Sequence, residues 1–398
     1  MRTIVIVGAS LAGLRAAQAL RKRGFDGRVV MIGAERHAPY DRPPLSKQLL
    51  AGEWAAEKLF FHAREQHATL ELEQRLGQAA RSLDVREQVV TLESGETVSY
   101  DGLVIATGAT PRMLPHAGGL QGVHVLRTLD DALSVASALS QGARVAVIGA
   151  GFIGLEVAAS CRKLGLMVSV IEPQRLPLLA LLGEPLAQAA FALHADHGVD
   201  FHLGVRVREL VGEGRVERIV LDDGKEVPCD VVVVGIGVVP ETRWLEGSGV
   251  ALSHGVLCDE QLATNVPNIV AAGDVVRWPN AAVGGELMCV EHWSNAVEQG
   301  QAAAARLLDG AVVAPFRHMP YFWSDQYDRK FQCTGRVRAD DAFEVLQGGL
   351  DQAMFAAVYG RDDRLCGVLT SNAPGVFLRA RKLLAQGASL EEARRALS

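Results

Sequence analysis

Two glycine-rich turns hold the residues whose spacing is best suited to chemistry. In "VIGAGFIGLE" the glycines are Gly149, Gly151 and Gly154. In "VGASLAG" they are Gly8 and Gly13, with Ser10 where a middle glycine would stand. Each turn follows a short apolar run and opens onto an amphipathic stretch. In that setting the first glycine allows a sharp turn, the second lets backbone amides approach a pyrophosphate, and the third lets helix and strand pack closely. The helix N-terminus then offers unpaired N–H groups and partial positive charge to phosphates. Leu11 and Ala12 complete the first candidate cradle, and Phe152 and Ile153 the second. A third candidate is Lys47, which ends the stretch "PYDRPPLSK". Pro39, Pro43 and Pro44 hold that stretch extended. A helix expected from near Leu45, with Pro44 or Ser46 in its first turn, would send Lys47 back towards a ligand.

The elements that must position these turns form a repeat. "TIVIVGASLAGLRAAQALRKRGFDGRVVMIGAE" begins at Thr3, and "RVAVIGAGFIGLEVAASCRKLGLMVSVIE" begins at Arg144. Each reads as strand, turn, amphipathic helix and second strand, the unit that binds one dinucleotide. The second copy ends in Glu172, where a carboxylate accepts hydrogen bonds from ribose hydroxyls and repels a 2′-phosphate. That argues for NADH over NADPH; Arg175, three residues on, weakens the argument because it could meet a phosphate. In the first copy the place of Glu172 falls to Gly33, with Ala34 small enough for an adenosine to lie close and Glu35 two residues on.

Three further strand ends fit the same plan. "YDGLVIATGATPR" ends a buried strand in Ala106, Thr107 and Gly108, and "DVVVVGIGVVPET" ends one in Gly235, Ile236 and Gly237. "TNVPNIVAAGDVV" ends in Gly273 and Asp274, an acid suited either to a polyol chain such as the ribityl arm of FAD or to a turn. In "CVEHWSNAVEQGQAAAARLL" a helix begins near Glu291, His292 and Trp293. Its N-terminus would favour an anionic flavin edge, while Trp293 could equally pack in a core.

Composition narrows the function classes. The net charge of −6 disfavours a general nucleic-acid surface. No two of the six cysteines have the spacing of a zinc, iron–sulfur or vicinal disulfide site, so no metal centre is expected and a reducing, cytoplasmic setting is. The N-terminal strand leaves no room for a signal peptide. The longest apolar runs fall far short of the ~20 residues that span a membrane.

These stretches, with "LRTLDDA" and "FWSDQY", resemble the two-dinucleotide-binding flavoproteins of the pyridine nucleotide–disulfide oxidoreductase superfamily. They are most similar to the FAD-dependent ferredoxin reductases of the putidaredoxin, rhodocoxin and biphenyl-dioxygenase type. The resemblance implies an α/β fold with two Rossmann-like domains and a smaller α+β C-terminal domain. The expected division is 1–112 with 242–312 for FAD, 113–241 for NAD, and 313–398 last. It further implies that Lys47 sits beside the flavin ring and pairs with Glu156, and that Ala80, Arg42, Pro43, Arg127, Asp274, Trp293 and Trp323 approach the FAD. Disulfide reductases of this superfamily carry thiols near Lys47; this chain has Asp41, Arg42, Leu45 and Ser46 there. The implied activity is hydride transfer from NADH to the flavin, with reacting atoms about 3–3.5 Å apart. Single electrons then pass to a [2Fe–2S] ferredoxin serving a cytochrome P450 or a Rieske dioxygenase. Lys330, Arg336, Arg338 and Arg379 are candidates for docking that acidic carrier. A monomer or weak homodimer is expected. The alternatives are a rubredoxin reductase, a monodehydroascorbate reductase, an NADH oxidase, or a redox-sensing flavoprotein that mainly binds.

Overall fold

The computed structural model describes residues 1–61, 70–115 and 119–397. They form two compact units, each built from several chain segments. The first comprises Met1–Asp41, Glu57–Thr110 and Val239–Pro320; the second comprises Arg42–Ala56, Pro111–Val238 and Tyr321–Ser398. Among the described residues no helix is long and apolar enough to cross a membrane.

In the first unit five parallel strands lie in the order Ile269–Ala271, Gly102–Ile105, Thr3–Val7, Arg28–Gly33, Leu72–Leu76. Ile4, Val5, Val30, Met31, Leu103 and Val104 are wholly buried, as β-branched and aliphatic runs must be when both faces of a parallel sheet are covered. The helices Leu11–Lys22 and Trp293–Asp309 pack together against this core. Their approach requires Gly300, where a Cβ would stand 2.4 Å from the Ala12 carbonyl oxygen.

The second unit holds another parallel sheet, ordered Val199–Leu203, Met167–Glu172, Arg144–Ile148, Val231–Val234, Val123–Val125. It also holds a five-stranded antiparallel sheet, ordered Tyr321–Gln326, Arg329–Gly335, Arg364–Ser371, Phe355–Arg361, Ala342–Gly348. "PYFWSDQYDRKFQCTG" is thus a hairpin of two strands, as its aromatic alternation and central turn suggest. The sequence groups residues 42–56 with the first Rossmann sheet; in the structure they pack within the second unit.

The segment after Pro43 departs from its expectation. No α-helix starts near Leu45; Pro43–Ser46 form one short 3-10 turn, and Lys47 closes it with its N–H on the Pro44 carbonyl at 3.1 Å. Two adjacent prolines remove two backbone donors and suit only the first turn of a helix. Lys47 itself has φ −120° and ψ −101°, outside the helical region.

Candidate functional site

The two glycine turns are built alike. Gly8 N–H donates to the Ile32 carbonyl at 2.8 Å, and Gly149 N–H to the Ile171 carbonyl at 2.8 Å. Both glycines have positive φ, +126° and +102°. A Cβ on Gly8 would lie 1.9 Å from the Ala106 carbonyl oxygen, and one on Gly149 would lie 2.4 Å from that of Gly235. Gly13 and Gly154 abut the carbonyls of Gly8 and Gly149 at 1.9 and 2.1 Å by the same measure. At the middle position a Cβ on Gly151 would meet nothing within 4 Å, so open space lies over the second turn, where a pyrophosphate needs it. Ser10 occupies the matching N-cap position of the first helix, with extended backbone angles. These loops fit a dinucleotide at each helix N-terminus.

The flanks of the turns differ. In the second, Glu172 accepts hydrogen bonds from Ala150 N–H at 2.8 Å and Gln174 N–H at 2.9 Å, which ties its carboxylate to the phosphate loop itself. Arg175 is held by Glu184 through two hydrogen bonds at 2.7 and 2.8 Å. In the first, Glu35 accepts from the Tyr40 hydroxyl at 2.5 Å, and Ala34 is exposed. Gly33 lies against Ala9, where a Cβ would come within 2.5 Å.

Other first-unit candidates gather around the ends of its strands. Ala106 follows the Gly102–Ile105 strand, and the Thr107 hydroxyl donates to the Glu241 carbonyl at 2.7 Å. Gly108 and Gly273 have positive φ. Gln299, wholly buried, accepts from Gly273 N–H at 2.8 Å and so anchors the turn that carries Asp274. Trp293 begins its helix with His292 as N-cap, and its indole N–H donates to Asp41 at 2.7 Å. Burial pushes the His292 imidazole down to about 4. Glu291 is exposed, and Ala80 opens the strand Ala80–Asp84.

Arg42, Pro43, Lys47, Arg127 and Trp323 all belong to the second unit. Arg42 donates to the Arg127 carbonyl at 2.5 Å, just before the Thr128–Asp131 capping box. Lys47 Nζ meets Glu156 Oε2 at 2.8 Å, with the side chains only 10% and 5% exposed, and also donates to the Pro43 carbonyl at 3.1 Å. A pair so buried needs its remaining acceptor sites filled. Ser46 Oγ donates to Glu156 Oε2 and Ser324 Oγ to Oε1, each at 2.6 Å. Ser160 Oγ holds the Ser46 carbonyl at 2.7 Å. Trp323, on the other face of its strand from Ser324, stacks with Tyr321 at 6.0 Å between ring centroids. Ile236 and Gly237 continue the second cradle, and Gly237 has positive φ.

Residues 2–300 match the family described as pyridine nucleotide-disulphide oxidoreductase, and residues 321–396 match the reductase C-terminal domain. Rhodocoxin reductase of Rhodococcus erythropolis is 37% identical over 96% of this chain and 89% of its own length. A ferredoxin reductase for the CYP199A2 system of Rhodopseudomonas palustris superposes with TM-score 0.93 at 35% identity, covering 100% and 98% of the two chains. The covalent putidaredoxin reductase–putidaredoxin complex gives TM-score 0.91 at 32% identity, covering 97% and 93%. This chain belongs to the pyridine nucleotide-disulphide oxidoreductase family. Within it the chain is an FAD- and NAD(P)H-dependent ferredoxin reductase.

Although the family takes its name from disulfides, thiol chemistry has no foothold among the described residues. All six cysteines are free. Burial pushes Cys161, Cys229, Cys333 and Cys366 up to about 12, which leaves them unreactive thiols. Sequence reasoning missed Ser46, Ser160, Ser324, Gln299 and Asp41 as supports of this reductase's site. Ser324 alone left a signal: it alternates with Phe322 and Gln326 on one face of "FWSDQ", and that face meets Glu156 and Phe152.

Proposed function

We propose that this reductase holds FAD in the first cradle, takes NADH in the second, and delivers electrons to a [2Fe–2S] ferredoxin that serves a cytochrome P450 or a Rieske dioxygenase. One observation carries the reading: two matched glycine cradles accompany a buried Lys47–Glu156 pair in a segment that lacks cysteine. When bound, the flavin supplies the ability to accept a hydride and release electrons singly.

The chain's own residues bind, orient and tune. Gly8, Ser10, Leu11, Ala12 and Gly13 present helix amides to one pyrophosphate, and Gly149, Gly151, Phe152, Ile153 and Gly154 to the other. Glu172 favours NADH: a carboxylate closing the second strand repels a 2′-phosphate, and the nearby Arg175 is already committed to Glu184. Lys47 and Glu156 set the charge along the hydride path, each neutralising the other in a nearly dry setting. Lys330, Arg338 and Arg379 are exposed and Arg336 is half-buried, and these cations are the candidates for docking an acidic carrier. Six free thiols favour a cytoplasmic setting.

The deciding experiment is anaerobic titration of the purified yellow protein with NADH and, separately, NADPH. Candidate [2Fe–2S] proteins are then added with cytochrome c as reporter. NADH bleaches the flavin fast, NADPH slowly, and cytochrome c is reduced only when the iron–sulfur protein is present. A protein that binds no flavin, or whose flavin NADH leaves oxidised, overturns the reading.

A further inference from the structure

Glu156 is the end of a longer chain of buried hydrogen bonds that the Lys47 pair does not by itself require. Ser324 Oγ, on Glu156, accepts from Gln326 Nε2 at 3.0 Å. Gln326 Oε1 meets His194 Nε2 at 2.9 Å, and His194 Nδ1 meets the Tyr327 hydroxyl at 3.0 Å. Ser324, Gln326 and His194 are at most 1% exposed. The donors have one consistent order. An amide nitrogen on Ser324 leaves the Gln326 oxygen to face His194, so Nε2 carries the imidazole proton. Nδ1 must then accept from Tyr327, and the Ser324 proton is free only for Glu156. Every donor in the chain points towards the carboxylate. Burial holds the His194 imidazole down at about 4, which keeps it in the neutral form this order demands.

Two further features concern Gln326 and Tyr327, the links that flank His194 in the chain. Gln326 borders a cavity of about 380 Å³, so packing alone does not fix which way its amide faces. Were the amide reversed, Ser324 would donate to the Gln326 oxygen and Glu156 Oε1 would lose its donor. The Glu156 carboxylate, which can only accept, decides between the two, because the reversed order leaves a buried charged oxygen without the Ser324 proton. Tyr327 occupies the hairpin turn with φ +56°, a region where a bulky side chain is disfavoured and glycine or asparagine is usual. It is held there by its hydroxyl on His194 and by its ring, stacked on His197 at 3.6 Å. Backbone strain of this kind persists where the surroundings over-determine it.

We propose that Ser324, Gln326, His194 and Tyr327 are positioning residues for hydride transfer, acting through Glu156: they hold its carboxylate in the one rotamer that faces Lys47. The proposal rests on the reading that Lys47 and Glu156 serve that step. It makes the first hairpin of the C-terminal sheet part of the reductase's chemistry rather than a mere cover.

The test uses the FAD-loaded full chain, with the limiting rate of flavin bleaching by NADH measured separately from NADH affinity. Ser324→Ala is expected to lower the limiting rate about ten-fold, the effect of losing one hydrogen bond to a charged group. Affinity should change less than about two-fold, since uniform binding is untouched. Ser324→Thr restores the rate, and Tyr327→Phe lowers it about three-fold because it only loosens the far end of the chain. Nitrogen-15 NMR of histidine-labelled wild-type enzyme gives a readout free of turnover: His194 is neutral near pH 7 and protonated on Nε2. A folded, fully flavinated Ser324→Ala enzyme that bleaches at the wild-type rate overturns the proposal. So does an Nδ1-protonated or doubly protonated His194, whether or not the variants fold. If wild-type enzyme itself is not bleached by NADH, the functional reading has failed instead, and the two failures are told apart.

Discussion

The two cradles share one backbone and differ in what is wired to it. Their turn glycines make the same hydrogen bonds at the same lengths and exclude side chains by the same carbonyl contacts. Beyond the third glycine they diverge. Two residues past Gly154 stands Glu156, paired with Lys47 and two serines. Two residues past Gly13 stands Arg15, which bonds Gln18 and lies over the Phe61 ring. The acids at the second strands differ as well: Glu172 grips its own phosphate loop, whereas Glu35 is held by Tyr40. On the proposed reading, a duplicated phosphate-binding device keeps its backbone while one copy stores the flavin and the other turns over NADH. The side chains just outside the glycines make the difference.

The largest expected effect comes from filling the turns. Gly8→Ala puts a Cβ into a carbonyl at positive φ and should cost more than about 4 kcal/mol, the range where domains fail to fold or lose ligand. Gly149→Ala meets the Gly235 carbonyl at positive φ and should be destabilised comparably, but whatever fraction folds should keep its flavin and lose bleaching by NADH. Absorbance per folded protein and stopped-flow bleaching separate the two, and equal loss of flavin per folded molecule in both variants would break the division of labour.

Next comes the residue two past the third glycine. Glu156→Gln leaves Lys47 buried without its counter-charge, which should cost about 3 kcal/mol in urea unfolding and slow flavin bleaching roughly a hundred-fold. Arg15→Gln, its positional counterpart, removes the contact over Phe61 and a part-buried bond to Gln18 without stranding a buried charge, and should cost no more than about 1 kcal/mol.

A smaller contrast concerns the acids. Glu172→Ala removes both a ribose acceptor and the brace on Ala150, and NADH affinity should fall about ten-fold. Glu35→Ala should leave flavin content nearly unchanged. Exchanging the middle residues is smaller still: Gly151→Ser has room for its side chain, so it should shift Tm little and weaken NADH only a few-fold. Ser10→Gly should be close to neutral.

Each unit also holds an imidazole that its surroundings push down to about 4, His292 in the first and His194 in the second. Between about pH 6.5 and 4 the unfolded chain binds the protons that the folded chain refuses. Stability is therefore full above that window and falls as pH drops through it. Urea melts across the window should show the loss, and His194→Asn should flatten it by at most one proton's slope.

The nucleotide-binding turns were readable in the sequence because their constraints are local. A glycine at a sharp turn, an apolar run before it and an amphipathic run after it lie within one short stretch, and they occur twice. The ion pair of Lys47 and Glu156, by contrast, entered only through family likeness, since 109 positions separate the two. The 3-10 turn at Pro43–Ser46 was misread as an α-helix start. Proline's preference for a first turn does not say whether a second turn will follow.

Sequence alone determined that two dinucleotides are bound and that no cysteine stands in the segment carrying Lys47, because backbone conformation and residue type decide both. Only the tertiary structure decided which polar side chains meet Glu156. Ser46, Ser324, Gln326 and His194 come from three distant segments, and serine, glutamine and histidine are ordinary residues until burial forces each donor to find an acceptor.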